Sequence, residues 1–360
     1  MEPFASVPEQ PEARRLLTAA LAEGGAHAYL LHGPAGVGKR TAAFAFAGAL
    51  LRDERRVVSR THPDLYVLEP LGEMIRIDDV RALRHDLHMR PFEADRRVYL
   101  VLDADRMNDD AADALLKDLE EPPDYAVIVL VAAELGPLPP TILSRCQLVP
   151  FRRLSERAVR EWIAAQAPER SDDEVRVLAR ASGGRLDRAR RLLDQDASVR
   201  RGALIEAARS VYLDPGFDPA TAAGVLLGAA AERGEEARDA EQALVDTLDL
   251  TSRDAEQRVR RAQRGAERDE LLGGLEGLEA WYRDLVVVAA GAEAAAVHAD
   301  RLDALRADVA AGAADGAVEA SEIVRDAWRA LEEFNLNPSL ALEALFVRLR
   351  RALRVAVPAA

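Results

Sequence analysis

The stretch that decides the fold reads Gly33-Pro34-Ala35-Gly36-Val37-Gly38-Lys39, and it lies between the apolar run Ala28 to His32 and an amphipathic segment. A strand, a glycine-rich turn and a helix in this order are typical of a phosphate-binding loop. Backbone N–H groups and the helix dipole attract phosphate oxygens there, and Lys39 adds a charge for the outer phosphates. The residues expected to bind a nucleotide are Gly33, Pro34, Gly36, Val37, Gly38, Lys39, Arg40 and Thr41.

The position after the lysine departs from this motif. A Ser or Thr hydroxyl normally follows and holds magnesium, whereas this chain has Arg40, with Thr41 one residue later. The Thr41 hydroxyl would start about 100° around the helix from the usual direction. The sequence therefore predicts a nucleotide site that lacks the usual magnesium ligand.

An acidic residue ends the apolar run Val98 to Asp103. In hydrolysing ATPases of this type, such an acid steadies magnesium and an adjacent Glu polarises the attacking water. The adjacent residue here is Ala104, and Asp105 lies one step further, where a side chain at a strand end faces the other way. We expect Asp105 to cap a helix or form an ion pair, and we expect no hydrolysis at this site.

Outward from these motifs, short apolar runs alternate with amphipathic segments, which is typical of a parallel sheet covered by helices. The predicted strands are Ala28 to His32, Asp64 to Leu68, Val98 to Asp103, Ala126 to Ala132 and Gln147 to Phe151. Later segments have helical periodicity throughout. The predicted fold class is α/β plus all-α, with an α/β domain over 1–153 and helical domains over 154–207 and 208–360.

Composition narrows the functional classes. The 360 residues carry a net charge of -14, which argues against strong autonomous binding to nucleic acid, because Lys and Arg dominate that affinity. Cys146 is the single cysteine, so an internal disulfide and a cysteine-rich zinc module are excluded. We see no secretory signal and no apolar stretch long enough to span a membrane, and we expect a cytoplasmic protein.

Several motifs occur in an order that resembles one known family. They are His27-Ala28-Tyr29-Leu30, Thr61-His62-Pro63-Asp64-Leu65, Ile77-Asp78-Asp79-Val80-Arg81, Ala114 to Pro123 (ALLKDLEEPP), Ser144-Arg145-Cys146, Trp281-Tyr282-Arg283-Asp284-Leu285 and Asn335 to Glu343 (NLNPSLALE). Together they resemble the bacterial clamp-loader branch of the AAA+ ATPases, in particular its delta-prime subunits of DNA polymerase III. The resemblance covers most of the chain and implies an AAA+ P-loop domain, a small helical lid containing sensor 2, and a C-terminal helical collar that oligomerises.

The resemblance also implies a role for Ser144-Arg145-Cys146 at a subunit boundary. There Arg145 would act in trans on ATP held by a neighbouring subunit, as an arginine finger. Without its flanking residues and the family order, an arginine such as Arg145 is more often a surface ion-pair residue. The implied sensor-2 arginine, which would contact nucleotide, is Arg188.

The chain departs from the family pattern at two further places. Most bacterial relatives carry a four-cysteine zinc module where this chain has the cysteine-free segment Leu51 to Arg60, so no zinc is expected. The polar sensor expected at the end of the fourth strand falls at Ala132 or Ala133. We expect ATP or ADP to be bound without hydrolysis.

These features predict a non-hydrolysing clamp-loader subunit that helps load the sliding clamp onto primed DNA. The expected partners are motor subunits of the gamma/tau type and a delta-type subunit, together with the clamp and DNA, reached through the complex. One alternative is an ATP-hydrolysing motor like gamma/tau, for which a Glu at 104 and a Ser or Thr at 40 would be expected. Another is a regulatory module that holds ATP as a structural ligand. A metabolic P-loop kinase is least favoured, because no acceptor-binding constellation is visible.

Overall fold

The N-terminal part of the molecule is built around a five-stranded parallel sheet. The computed structural model describes residues 4, 7–23, 25–70, 74–193, 195–246, 251–333 and 336–353, so Asn335 of the last quoted motif lies outside the described residues. The strands are β1 (Ala28–His32), β2 (Leu65–Leu68), β3 (Arg97–Val101), β4 (Ala126–Ala132) and β5 (Gln147–Pro150). Their spatial order is β2-β3-β4-β1-β5, and all neighbouring pairs are parallel.

Helices cover both faces of this sheet. They are α1 (Pro11–Glu23), α2 (Lys39–Leu51), α3 (Glu54–Val58), α4 (Ile77–Leu87), α5 (Asp109–Glu120) and α6 (Pro140–Leu143). Alternate strand residues enter two different cores, because successive side chains point to opposite faces. Leu31, Leu100 and Val129 pack with α1, α2 and α3, whereas Leu30 and Leu130 pack with α4, α5 and α6.

The predicted strands agree with the observed ones within two residues. The third strand ends at Val101 rather than at Asp103. Asp103 itself has left-handed backbone geometry (φ 51°), which is costly for a residue with a Cβ and turns the chain out of the strand. The acidic end of β3 is therefore a strained turn that leads into a short 3₁₀ helix, Ala104–Arg106.

The rest of the described chain is helical. Its helices are α7 (Glu156–Gln166), α8 (Asp172–Ala181), α9 (Leu186–Leu193), α10 (Gln195–Leu213), α11 (Pro219–Val245), α12 (Ser252–Ala289), α13 (Leu302–Ala310), α14 (Ala317–Glu333) and α15 (Pro338–Ala352). Helix starts follow local chemistry: Ser171 and Glu174 form a capping box before α8, and Asp218 caps α11, which has Pro219 in its first turn. Among the described residues, no helix combines the length and the apolar character that crossing a bilayer requires.

The chain divides into two compact units. Unit 1 comprises residues 1–162 and 184–188, and unit 2 comprises residues 163–183 and 189–360. Unit 2 has its own core of helix side chains, in which Trp281, Tyr282 and Phe346 are completely buried. The predicted architecture, a parallel α/β domain followed by helices, is confirmed. The division into three domains at 153 and 207 stays a prediction.

Candidate functional site

The glycine-rich loop joins β1 to α2, as the motif predicted. Three of its glycines have positive φ, namely Gly33 (131°), Gly36 (69°) and Gly38 (97°), a region that glycine enters at little cost. A Cβ on Gly33 would lie 2.2 Å from the carbonyl oxygen of Phe151, so a side chain cannot be placed there. Because α2 begins at Lys39, unpaired backbone N–H groups of its first turn adjoin the loop. This backbone geometry is typical of a phosphate-binding loop.

Lys39 is buried, with 6% of its surface exposed. Its Nζ donates to the carbonyl oxygens of Gly33 and Pro34, at 2.5 Å each. Burial lowers its pKa to about 8, against the attraction of Asp105, Asp103 and nearby Asp187, which raises it. The ammonium group thus stays protonated at neutral pH, and three carboxylates lie near enough to attract it.

Arg40 forms an ion pair at the position where the motif normally provides a magnesium ligand. Its Nη2 donates to Asp103 Oδ2 at 2.7 Å, and its Nη1 lies 3.8 Å from Glu69 Oε2. Thr41 is exposed one residue further along α2. A guanidinium that neutralises the acid at the end of β3 leaves no place for a divalent cation between them, so these residues do not fit magnesium. Among the described residues, no group of three or more His, Cys, Asp or Glu side chains could hold a metal ion.

The residues beside Asp103 offer no general base for water attack. Ala104 is fully buried and occupies the position of the water-activating Glu. Asp105 accepts hydrogen bonds from the N–H groups of Ala133 (3.0 Å) and Glu134 (3.2 Å), in the loop that follows β4. Burial raises the pKa of Asp105 above its usual value, although these bonds lower it. Asp105 therefore holds the loop that follows β4, a role that differs from the expected helix cap or ion pair.

The segment 184–188, which contains the expected sensor-2 arginine, lies against the loop within unit 1. The N–H of Leu186 donates to the carbonyl oxygen of Gly36 at 2.6 Å. A Cβ on Gly36 would lie 1.7 Å from Asp187 Oδ1, so this carboxylate packs directly on the loop. Asp187 also accepts from Arg185 Nη2 at 2.8 Å and from the N–H of Arg188. The structure thus brings the segment of Arg188 to the loop, with Leu186 and Asp187 in contact with it.

Arg145 lies just after α6 and is held by its own chain. Its Nε donates to Glu120 Oε1 at 2.7 Å, and its Nη2 donates to the same oxygen. Its Nη1 donates to the carbonyl oxygen of Thr141 at 2.8 Å and to Ser144 Oγ at 3.3 Å. Burial raises the pKa of the Cys146 thiol to about 12, so this thiol is not a nucleophile at neutral pH. The surface ion pair that sequence reasoning weighed for Arg145 is present, with Glu120 as its partner.

Sequence reasoning missed three carboxylates of this region. Glu69 lies near Arg40, and Glu120 forms an ion pair with Arg145. Asp187 packs on the glycine-rich loop. Glu120 belongs to the quoted motif Ala114 to Pro123, so the motif contained a signal for it. Each pairing joins residues at least 25 positions apart, and in an acidic chain the sequence alone does not single out a partner.

Comparisons with known proteins agree with the quoted motifs that lie within residues 9–155, while the motifs that begin at Trp281 and Asn335 stay predictions. Residues 9–155 match the family described as DNA polymerase III, delta subunit. The chain is 35% identical over 201 residues to DNA polymerase III subunit delta' of Pseudomonas aeruginosa (52% of this chain, 61% of the relative). It is 33% identical over 165 residues to the same subunit of Bacillus subtilis (42% and 50%).

A subunit of another type also matches, with lower identity. The chain is 28% identical over 189 residues to DNA polymerase III subunit tau of Bacillus subtilis, covering 48% of this chain and 33% of that relative. The chain thus spans about half to three fifths of the length of the two delta' relatives. The resemblance to bacterial clamp-loader subunits of the delta-prime type is confirmed over the matched residues.

Proposed function

We propose that this chain, which carries a clamp-loader sequence of the delta-prime type over residues 9–155, is the non-hydrolysing stator subunit of a bacterial DNA polymerase III clamp loader. In this role it helps load the sliding clamp onto primed DNA, together with motor subunits of the gamma/tau type and a delta-type subunit. It supplies Arg145 to ATP held by a neighbouring subunit. The clamp and the DNA are reached through the assembled complex.

The ion pair between Arg40 and Asp103 carries this proposal. Hydrolysis needs magnesium between the nucleotide and Asp103, the acid that follows β3. In this chain Asp103 instead forms a 2.7 Å ion pair with the guanidinium of Arg40. Ala104 removes the general base, and Ala133 offers no polar side chain to a γ-phosphate. A nucleotide would be held by the backbone of Gly33 to Lys39, with Arg40 as an additional cation.

The neighbouring subunit benefits from Arg145 through charge. An arginine inserted from outside stabilises the charge that develops on the transferred phosphoryl group, and its contribution is about 10³ to 10⁵ in rate. Arg145 lies on the surface of unit 1 with 30% of its side chain exposed, within reach of solvent. Ser144 and Cys146 flank it and would lie at the same subunit interface.

The experiment is a comparison of ATP turnover by the isolated chain and by a reconstituted loader. The isolated chain should turn over little ATP, and a loader containing Arg145→Ala should lose the turnover of the adjacent site. Arg152→Ala is the matched control, because Arg152 is an exposed arginine of unit 1 that lies outside the Ser144-Arg145-Cys146 motif. Brisk ATP turnover by the isolated chain would contradict the stator role.

The second candidate is an ATP-hydrolysing subunit of the gamma/tau type, and the observation that favours it is the similarity to subunit tau. Its active site would need a hydroxyl at position 40 and a carboxylate at position 104. The turnover of the isolated chain distinguishes the two candidates.

A further inference from the structure

Glu120 and Arg145 form an ion pair between the end of α5 and the residue that follows α6. The guanidinium has five N–H groups, and four hydrogen bonds hold it on its own chain: two to Glu120, one to Thr141 and one to Ser144. The carboxylate of Glu120 is 48% exposed, so this pair is reached by solvent. Four of the five N–H groups of Arg145 therefore already donate hydrogen bonds within its own chain.

A carboxylate and a phosphoryl group compete for the same part of an arginine. Both accept two parallel hydrogen bonds from the guanidinium fork, and both are stabilised by its charge. A neighbour's phosphoryl group can therefore engage the Nε and Nη2 side of Arg145 only after Glu120 releases it. Because exposed ion pairs contribute little stability, this exchange is reversible.

We propose that Glu120 is a positioning residue that restrains Arg145 on its own chain and opposes its transfer to ATP in the neighbouring subunit. The inference rests on the proposed role of Arg145 and adds a regulatory contact to it. The restraint lowers ATP turnover in the neighbouring subunit for as long as Glu120 holds the guanidinium of Arg145. The energy of an exposed ion pair corresponds to about a two- to fivefold effect on rate.

The test uses a reconstituted clamp loader that contains Glu120→Gln, which removes the charge and keeps the shape. In the absence of clamp and DNA, kcat for ATP should rise about two- to fivefold, while KM should be unchanged, because the neighbour's nucleotide site is not altered. Glu121→Gln is the matched control, since Glu121 is the next residue, is exposed and loses the same charge. It should leave kcat as in the wild type.

The outcomes separate this inference from the proposed function. If Arg145→Ala lowers ATP turnover but Glu120→Gln leaves kcat unchanged or lowers it, the restraint by Glu120 is refuted. The proposed action of Arg145 on the neighbouring ATP is then still supported. The restraint is also refuted if Glu121→Gln raises kcat equally, or if Glu120→Gln prevents assembly of the loader on a sizing column. If Arg145→Ala has no effect on turnover, the proposed function itself fails.

Discussion

Arg40 replaces a neutral metal ligand with a fixed positive charge. Its guanidinium lies beside Asp103 and near Glu69, so two carboxylates that could help hold a divalent cation are already neutralised. Divalent magnesium would have to displace this arginine and would find no hydroxyl on the first turn of α2 at that position.

Arg40→Thr should restore a dependence of nucleotide binding on magnesium. The change frees Asp103 and supplies the missing hydroxyl, so affinity for ATP should increase about tenfold when magnesium is added, equivalent to about 1.4 kcal/mol. Calorimetric titration of the isolated chain with and without magnesium measures this gain. Arg55→Thr, which changes an exposed arginine of α3, should show none.

The Arg40→Thr variant should still fail to hydrolyse ATP, because Ala104 provides no general base. A magnesium-independent increase in affinity would mean that Arg40 acts only through its charge. In that case the idea that it occupies the position of the metal would be wrong.

At the scale of elements, α12 is anchored by a buried acid. Asp284 on this helix is completely buried and accepts hydrogen bonds from the N–H groups of Val297 (3.1 Å) and His298 (2.7 Å). The Nδ1 of His298 lies 2.8 Å from the same carboxylate, and its ring meets Trp281 edge to face. These contacts fasten the segment after α12 onto the core of unit 2.

Burial lowers the pKa of His298 below 6.5, even though its hydrogen bond to Asp284 raises it. Two neighbouring charges also act on the ring: Arg201 lowers its pKa, and Asp300 raises it. For Asp284, burial raises the pKa, but the hydrogen bonds from His298 and Val297 outweigh burial and lower it. The folded pair is therefore a neutral imidazole and a carboxylate at neutral pH.

The stability of unit 2 should decrease on acidification below about pH 6.5. There the histidine takes up its proton at a higher pH in the unfolded chain than in the folded one, so unfolding binds protons and becomes easier by at most about 1.4 kcal/mol per pH unit. Below the ordinary pKa of Asp, the contribution of Asp284 is lost as well. Urea unfolding between pH 7.5 and 5.5 measures the dependence.

His298→Gln should flatten this pH dependence, whatever its effect on the absolute stability. His88→Gln, which changes a largely exposed histidine on the surface, is the control. An unchanged slope in His298→Gln would exclude this histidine as the titrating group.

At the scale of the whole molecule, charge decides which ligands the chain can bind by itself. It has 48 Lys and Arg residues against 62 Asp and Glu residues. Many of its arginines form ion pairs with nearby carboxylates, as in the bidentate pair of Arg209 with Asp308. Little positive charge is therefore available to replace the counterions of a phosphate backbone.

The isolated chain should bind primed DNA more weakly than about 10⁻⁴ M at physiological salt, which is the weak end of non-specific binding. Fluorescence anisotropy with a labelled primed template measures this affinity. The reconstituted loader is the comparison and should bind measurably. Micromolar, salt-dependent binding by the isolated chain would contradict the view that DNA is reached through the complex.

The sequence by itself determined the architecture and which functional groups the glycine-rich loop and its surroundings contain. Apolar runs, a glycine-rich turn and helical periodicity are local patterns, and local patterns fix strands, turns and helices. The same holds for Arg40 and Ala104, because a missing functional group can be read directly from the residue type. The order of short motifs was sufficient to indicate the family.

Only the tertiary structure decided which charged groups meet. The pairs of Arg40 with Asp103, Arg145 with Glu120 and Asp284 with His298 join different elements. Ion pairing depends on distances of a few ångströms. In a chain with 62 acidic residues, the sequence offers each arginine many possible partners and does not distinguish among them. The sequence did not place the turn at Asp103, because the apolar run does not show where its strand ends and an Asp adopts left-handed backbone only at some positions.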